Sequence, residues 1–186
     1  MRKEQVKLLD GTTVVGDYFD TSDFKVIQTV FQNWLSANKN LKNIGGRTLN
    51  VPDVISEALF CIAFDAVRTN NTAHSFDCVL RKTGQGVQVK SASIPTDCTS
   101  FGPKSKWDLL YFLDFVPNGT FDRNIDVYEI DGNEIYDLVL NKEKGETFRD
   151  QQKQGRRPRF SIQNRIIRVH NLKPVKKINI NTGVIS

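Results

Sequence analysis

The stretch WDLLYFLDFV, residues 107–116, constrains the fold more than any other part of this chain. Apart from Asp108 and Asp114 it is apolar or aromatic throughout. At ten residues it falls far short of the ~20 needed to cross a bilayer, so its place is inside a protein core. Read as extended chain, it carries large apolar groups on both faces, which suits a central strand covered from two sides. A helix also remains open on periodicity alone. Either way other elements must cover it, and a chain of 186 residues can do so as one domain, residues 1–186.

Those elements can be read on either side. Residues 13–19 (TVVGDYF) suit a short strand. Thr21, Ser22 and Asp23 offer a cap to an amphipathic helix with Phe24, Ile27, Val30, Phe31, Trp34 and Leu35 at helical spacing. Gly45-Gly46 breaks it, and Pro52 opens a second helix expected over 53–67. Strands are expected at 75–81 and 87–94 around the turn Thr83-Gly84-Gln85-Gly86, and again at 125–130. Residues 133–140 and part of 142–154 suit helices, while 160–162, 166–169 and 178–180 suit short strands. Helices, then strands, then mixed elements give an α/β or α+β protein with a mixed central sheet flanked by helices.

Three cysteines, Cys61, Cys78 and Cys98, cannot all pair and fit no zinc spacing, so they read as reduced core residues. With no signal-peptide pattern at the start, the expectation is a soluble cytoplasmic protein, away from membranes. Charge is unevenly placed. From Lys142 onward there are 12 Lys/Arg against 3 Asp/Glu, whereas residues 1–141 hold 14 against 18. A basic last quarter, about 142–180, on a mildly acidic body suggests a polyanionic partner, nucleic acid first, or else a solvated basic face.

The 75–94 hairpin carries the chemistry. Strand alternation points Gln88 and Lys90 the same way, with Val87 and Val89 opposite. Asp77 sits among apolar neighbours, where an acid has no packing reason to be. Pairing across the turn can bring Asp77, Gln88 and Lys90 to one rim of a sheet. A carboxylate and an amide oxygen suit a hard cation such as Mg²⁺, with waters and a phosphate oxygen completing the octahedron. Such an ion lowers the pKa of bound water and offsets phosphate charge, and a lysine beside it can orient the attacking water. Glu57 can add a fourth group from the preceding helix, whereas Asp53, directly after Pro52, reads as a first-turn partner of the helix dipole.

The array Glu57, Phe76-Asp77, ten residues, Gln88-Val89-Lys90 resembles the PD-(D/E)XK nuclease superfamily over about residues 50–130. There the helical Glu, the Asp, a second acid and the Lys form the metal and catalytic site. Here Phe76 replaces the Pro and Gln88 the second acid, which removes one negative charge from the metal site. Size and arrangement are similar to small type II restriction endonucleases, in particular the group cutting GCNGC. The stretches carrying this are PDVISEALFCIAF, QVKSASI, KWDLLYFLDFV and GRRPRFSIQNRII. The resemblance implies a restriction-endonuclease-like core and hydrolysis of double-stranded DNA with Mg²⁺, leaving 5′-phosphate and 3′-hydroxyl ends. It assigns catalysis to Asp77, Gln88, Lys90 and Glu57, the metal to Asp77, Gln88 and Glu57, and the working unit to a homodimer matching a twofold site.

Arg156, Arg157, Arg159, Arg165 and Arg168 follow one another without an intervening acid, interleaved with Phe160, Ile162 and Ile166. Guanidinium groups suit phosphates and the N7/O6 edge of guanine, and Gln163 and Asn164 are amides that can read bases. Lys104 and Lys106 would add contacts to the DNA backbone. Among these arginines Arg159 is the candidate base reader, because Pro158 fixes its backbone and burial of Phe160 would anchor it. The apolar helix over residues 24–35 is a candidate dimer surface, and His74 could flank the site. Two other readings share these residues: a structure-selective repair or junction nuclease, and an inactive DNA-binding module.

Overall fold

The computed structural model describes residues 1–69, 75–95 and 97–186. The expected flanking residue His74 lies outside them. The chain opens with an antiparallel hairpin of β1 (Arg2–Lys7) and β2 (Thr13–Tyr18). Strand β1 was not evident in the sequence: only Val6 is buried, as suits an edge strand guarded by charges. Asp20 then caps a 3₁₀ turn that leads into α1 (Phe24–Asn43). Helix α1 turns Ile27, Phe31, Trp34 and Asn38 inward at helical spacing. The face proposed from sequence as a dimer surface is therefore largely spent on the chain's own core.

Helix α2 (Asp53–Phe64) is shorter than expected. Asp65 turns left-handed (φ 53°), ends the helix, and frees Ala66–Arg68 to form β3. Next come β4 (Cys78–Leu80), β5 (Gly86–Ala92) and β6 (Thr99–Ser100). The strand expected over 75–81 is thus confined to its apolar centre. The aromatic run supplies β7 (Leu109–Asp114), followed by β8 (Asn124–Ile130). The rest comprises α3 (Gly132–Tyr136), β9 (Val139–Asn141), β10 (Glu146–Thr147), α4 (Phe148–Lys153), β11 (Arg159–Phe160) and β12 (Lys176–Asn179). Between β11 and β12, Gln163–Ile167 forms a π-helical turn, where short strands had been expected at 166–169.

Among the described residues the main sheet has eight strands in the order β1-β2-β3-β4-β5-β7-β8-β12. Neighbours are antiparallel except β5 and β7, which run parallel from Val87↔Leu109 to Ala92↔Asp114. The crossover between them carries β6, which pairs with β11 in a small separate ribbon. The aromatic run is therefore a central strand, buried on both faces as its composition requires. One face packs Val87, Val89, Tyr111 and Leu113 against Phe31 of α1 and Leu59 and Phe60 of α2. The other packs Leu110 and Phe112 with Phe101, Phe148, Phe160 and Ile166. The result is a mixed α+β protein of restriction-endonuclease-like build.

Candidate active site

The site grows from a fork in the sheet. Strands β4 and β5 pair only at Cys78↔Val87 and Val79↔Gly86, then part. Asp77 stands at the fork, its backbone N–H donating to Val87 O at 2.9 Å and its carbonyl accepting from Thr69 N at 2.8 Å. Beyond the last rung, the N–H of Val89 turns to the Asp77 side chain instead, donating to Oδ2 at 2.8 Å. Gln88 Nε2 donates to the same oxygen. The carboxylate is thus oriented by one backbone and one side-chain donor, both set by β5.

Burial pushes the Asp77 carboxyl above the usual range, and Asp53 adds to the push. The Lys90 charge, the Val89 N–H and Gln88 oppose it. Lys90 is half-buried, with Nζ 5.7 Å from the centre of the Phe101 ring, a cation–π contact of its ammonium. Glu57 projects from α2 with only 3% of its surface exposed. Its Oε2 accepts from Arg68 Nε. Burial first and the Asp77 charge second raise the Glu57 carboxyl to about 7, against the pull of Arg68.

These groups share a cleft of about 350 Å³. Asn50, Asp53, Glu57, Asp77, Val89, Lys90 and Ser91 line it together with residues 97–100, Arg157 and Arg159. The structure brings together Glu57, Asp77 and Lys90 as the sequence pattern expects. Gln88 differs: it is 3% exposed, does not line the cleft, and turns its amide nitrogen to Asp77. The expected ligand role would require its carbonyl oxygen to face the cleft; in this geometry it orients Asp77.

Asp53 was passed over in the sequence and does line the cleft. It precedes Glu57 by four residues, on the same helix face, and its charge bears on both Glu57 and Asp77. The four-residue spacing is the sequence signal for this placement, and it coexists with a helix-dipole role beside Pro52. Cys98, expected in the core, is exposed and lines the cleft, whereas Cys61 and Cys78 are buried as expected.

The basic segment divides in two. Arg157 and Arg159 reach the cleft because β11 pairs with β6, Arg159↔Ser100, and Phe101 N donates to Pro158 O at 3.0 Å. Phe160 is buried and stacks on Phe101 at 5.6 Å, the anchor expected from sequence. Arg156 is paired with Glu146 at 2.6 Å, and Arg165 donates to Val139 O at 2.8 Å. Gln163 is buried beside Asp114, so it is no base reader. Asn164 accepts from Arg168 at 2.7 Å. Lys104 and Lys106 line a second groove with Trp107, Tyr136, Arg149 and Gln152.

Among the described residues no three His, Cys, Asp or Glu side chains converge tightly enough to hold an ion alone. Nor is any helix among them long and apolar enough to cross a membrane.

Comparison with known proteins adds an independent line. Residues 19–169 match the family model of the Bsp6I restriction endonuclease. The chain is 33% identical over 166 residues to the type II restriction enzyme Bsp6I of Bacillus sp. (strain RFL6), covering 88% of this chain and 91% of that protein. No solved structure matches.

Proposed function

The chain belongs to the Bsp6I restriction endonuclease family, whose members are type II site-specific deoxyribonucleases, and from that premise we propose how it cuts. It hydrolyses both strands of DNA at a short palindromic or pseudopalindromic site, of the GCNGC kind that the sequence resemblance implies. It works with Mg²⁺ and as a homodimer. The observation that carries this reading is the cleft itself, of about 350 Å³, which carboxylates, a lysine and two arginines line together.

The donor set fits Mg²⁺. Asp77, Glu57 and Asp53 offer hard oxygens along one cleft without closing on a single point; burial first and neighbouring negative charge second raise the Glu57 and Asp77 carboxyls, and a divalent cation would offset both. With few protein ligands, waters and a scissile phosphate oxygen would fill the remaining positions. Bound there, the ion would supply an activated water and charge neutralisation at the phosphate. Asp77, held by Val89 N–H and Gln88, and Glu57 fix the geometry of the binding groups. Lys90, from the same strand, orients the attacking water and offsets phosphate charge. Arg157 and Arg159, lining the same cleft, hold the DNA, Arg157 on phosphate and Arg159 on base edges. Lys104, Lys106, Arg156 and Arg165 lie farther out and contribute backbone contacts.

Incubating phage DNA with the protein, with and without Mg²⁺, and sequencing the fragment ends tests the reading. Discrete fragments with a common end sequence are expected only with the ion. Asp77→Ala and Lys90→Ala should each lose ~10²–10³ or more in cleavage rate, as for other preorganised electrostatic groups, while still binding DNA. Near-normal cleavage by either folded variant would remove the assignment.

A further inference from the structure

Glu57 is held from behind. Arg68 does not line the cleft, yet its Nε donates to Oε2 of Glu57, which does. Arg68 lies on β3, directly opposite Asp17 of β2 in the strand register. The second arm of its guanidinium, NH1, is 3.9 Å from Asp17 Oδ2, and both side chains are largely shielded, 23% and 17% exposed. Gly16 makes this approach possible. A Cβ there would stand 2.5 Å from the Arg68 carbonyl oxygen, so a side chain would push β2 away from β3.

The family match begins at residue 19, so Gly16 and Asp17 lie outside it. We infer that Arg68 is a positioning residue for DNA cleavage, and that the N-terminal hairpin β1–β2 reaches the active site through Asp17, Arg68 and Glu57. The inference rests on the catalytic reading of Glu57. A carboxylate buried beside the like-charged Asp77 has every reason to turn away. A planar guanidinium gripped at one edge by Glu57 and approached at the other by Asp17 fixes its direction, which a lysine's point charge does not. The hairpin, whose outer strand buries only Val6, has this task besides covering the sheet edge.

The test uses the full chain, with single-turnover cleavage, Mg²⁺ titration of the rate, duplex affinity in Ca²⁺, and thermal melting. Arg68→Ala should slow cleavage by about 10²-fold, as loss of preorganisation does, and raise the Mg²⁺ needed for half-maximal rate. Affinity for the cognate duplex in Ca²⁺ should stay near that of the wild type, a split that a merely structural residue would not produce. Arg68→Lys should recover part of the rate, and Asp17→Asn and Gly16→Ala should lower it in the same direction by less. Arg68→Ala combined with Glu57→Gln should be no slower than Glu57→Gln alone, because the two residues act as a unit. Wild-type cleavage by folded Arg68→Ala, or losses that multiply in full, would overturn the inference. If Arg68→Ala does not fold, Arg68→Lys and Asp17→Asn decide: wild-type rates and metal titrations in both overturn it. Wild-type cleavage by Glu57→Gln would instead overturn the reading of Glu57, which an impaired Glu57→Gln with intact Arg68 variants would leave standing.

Discussion

Asp114 shows how far a single buried acid can mislead about where chemistry lies. It ends β7, is 5% exposed, and sits across the ladder from Asp126, yet it lines no part of the cleft. Burial raises its carboxyl above the ordinary range, and the charge of Asp126 adds to this, while Gln163 and the Val116 N–H at 2.9 Å work against it. Its role is therefore structural, and it should show in stability rather than rate. With the folded pKa above the unfolded one, the folded state holds its proton more tightly. Stability is then lost as pH rises from the ordinary aspartate value, ~3.9, through the folded value. Asp114→Asn keeps an oxygen for Val116 and removes the titration, so its melting temperature should fall less over that acid window and be no lower at neutral pH. Equal slopes in wild type and variant would show that Asp114 does not titrate differently in the two states. Asp53 is the converse case, an acid explained in the sequence by its helix end and found facing two other carboxylates.

At the scale of elements, what could be read from sequence follows from how locally each element is determined. Helix α1 and strand β5 carry their own periodicity and β7 its unbroken apolar run, and Glu57 and Lys90 were legible because α2 and β5 place them, with Asp77 just before β4. Strand β3 was not, since its three residues continue the apolar pattern of α2 and only the left-handed Asp65 separates them. Arg68 was lost with it. The strand expected over 166–169 gives way to the end of the π-helical turn Gln163–Ile167, because Ile166 and Ile167 are buried in a core cluster with Phe101 and Leu110 that no local pattern contains. The two-residue ribbon β6–β11 was half legible: Pro158 and Phe160 signalled rigidity, but not the partner strand that turns Arg159 into the cleft. That support separates the arginines. In Ca²⁺, Arg159→Ala should cost ~1–3 kcal/mol on the cognate duplex and much less on random DNA, as loss of a base contact does. Arg156, already neutralised by Glu146, should change the salt slope by less than the ~0.9 expected for a full phosphate contact. Equal losses on both duplexes for Arg159→Ala would make it a phosphate contact like its neighbours.

For the molecule as a whole, the charge asymmetry and the carboxylate-lined cleft set the terms. The acidic body holds the carboxylates of the site, and the basic last quarter folds back so that β11 brings two of its arginines to the same opening. Among the described residues one chain presents one set of hydrolytic groups, and the homodimer proposed above would supply two, related by the symmetry of the DNA site. Two chains acting together, each cutting one strand, then account for a double-strand cut with no further active site. The expectation can be checked by mixing. Wild-type chains unfolded and refolded with an excess of Asp77→Ala chains should form hybrids with one competent cleft, and on a supercoiled plasmid carrying one cognate site these should accumulate nicked circles. Wild-type protein alone should pass to linear DNA with little nicked intermediate, and Asp77→Ala alone should leave the plasmid supercoiled. The nicked fraction should rise and then fall with the proportion of variant, following the share of hybrids. Linear product that declines only in proportion to wild-type chains, with no excess of nicked circles at any ratio, would mean that each chain cuts both strands by itself. The basic segment would then have to carry one cleft across the duplex between two successive cuts.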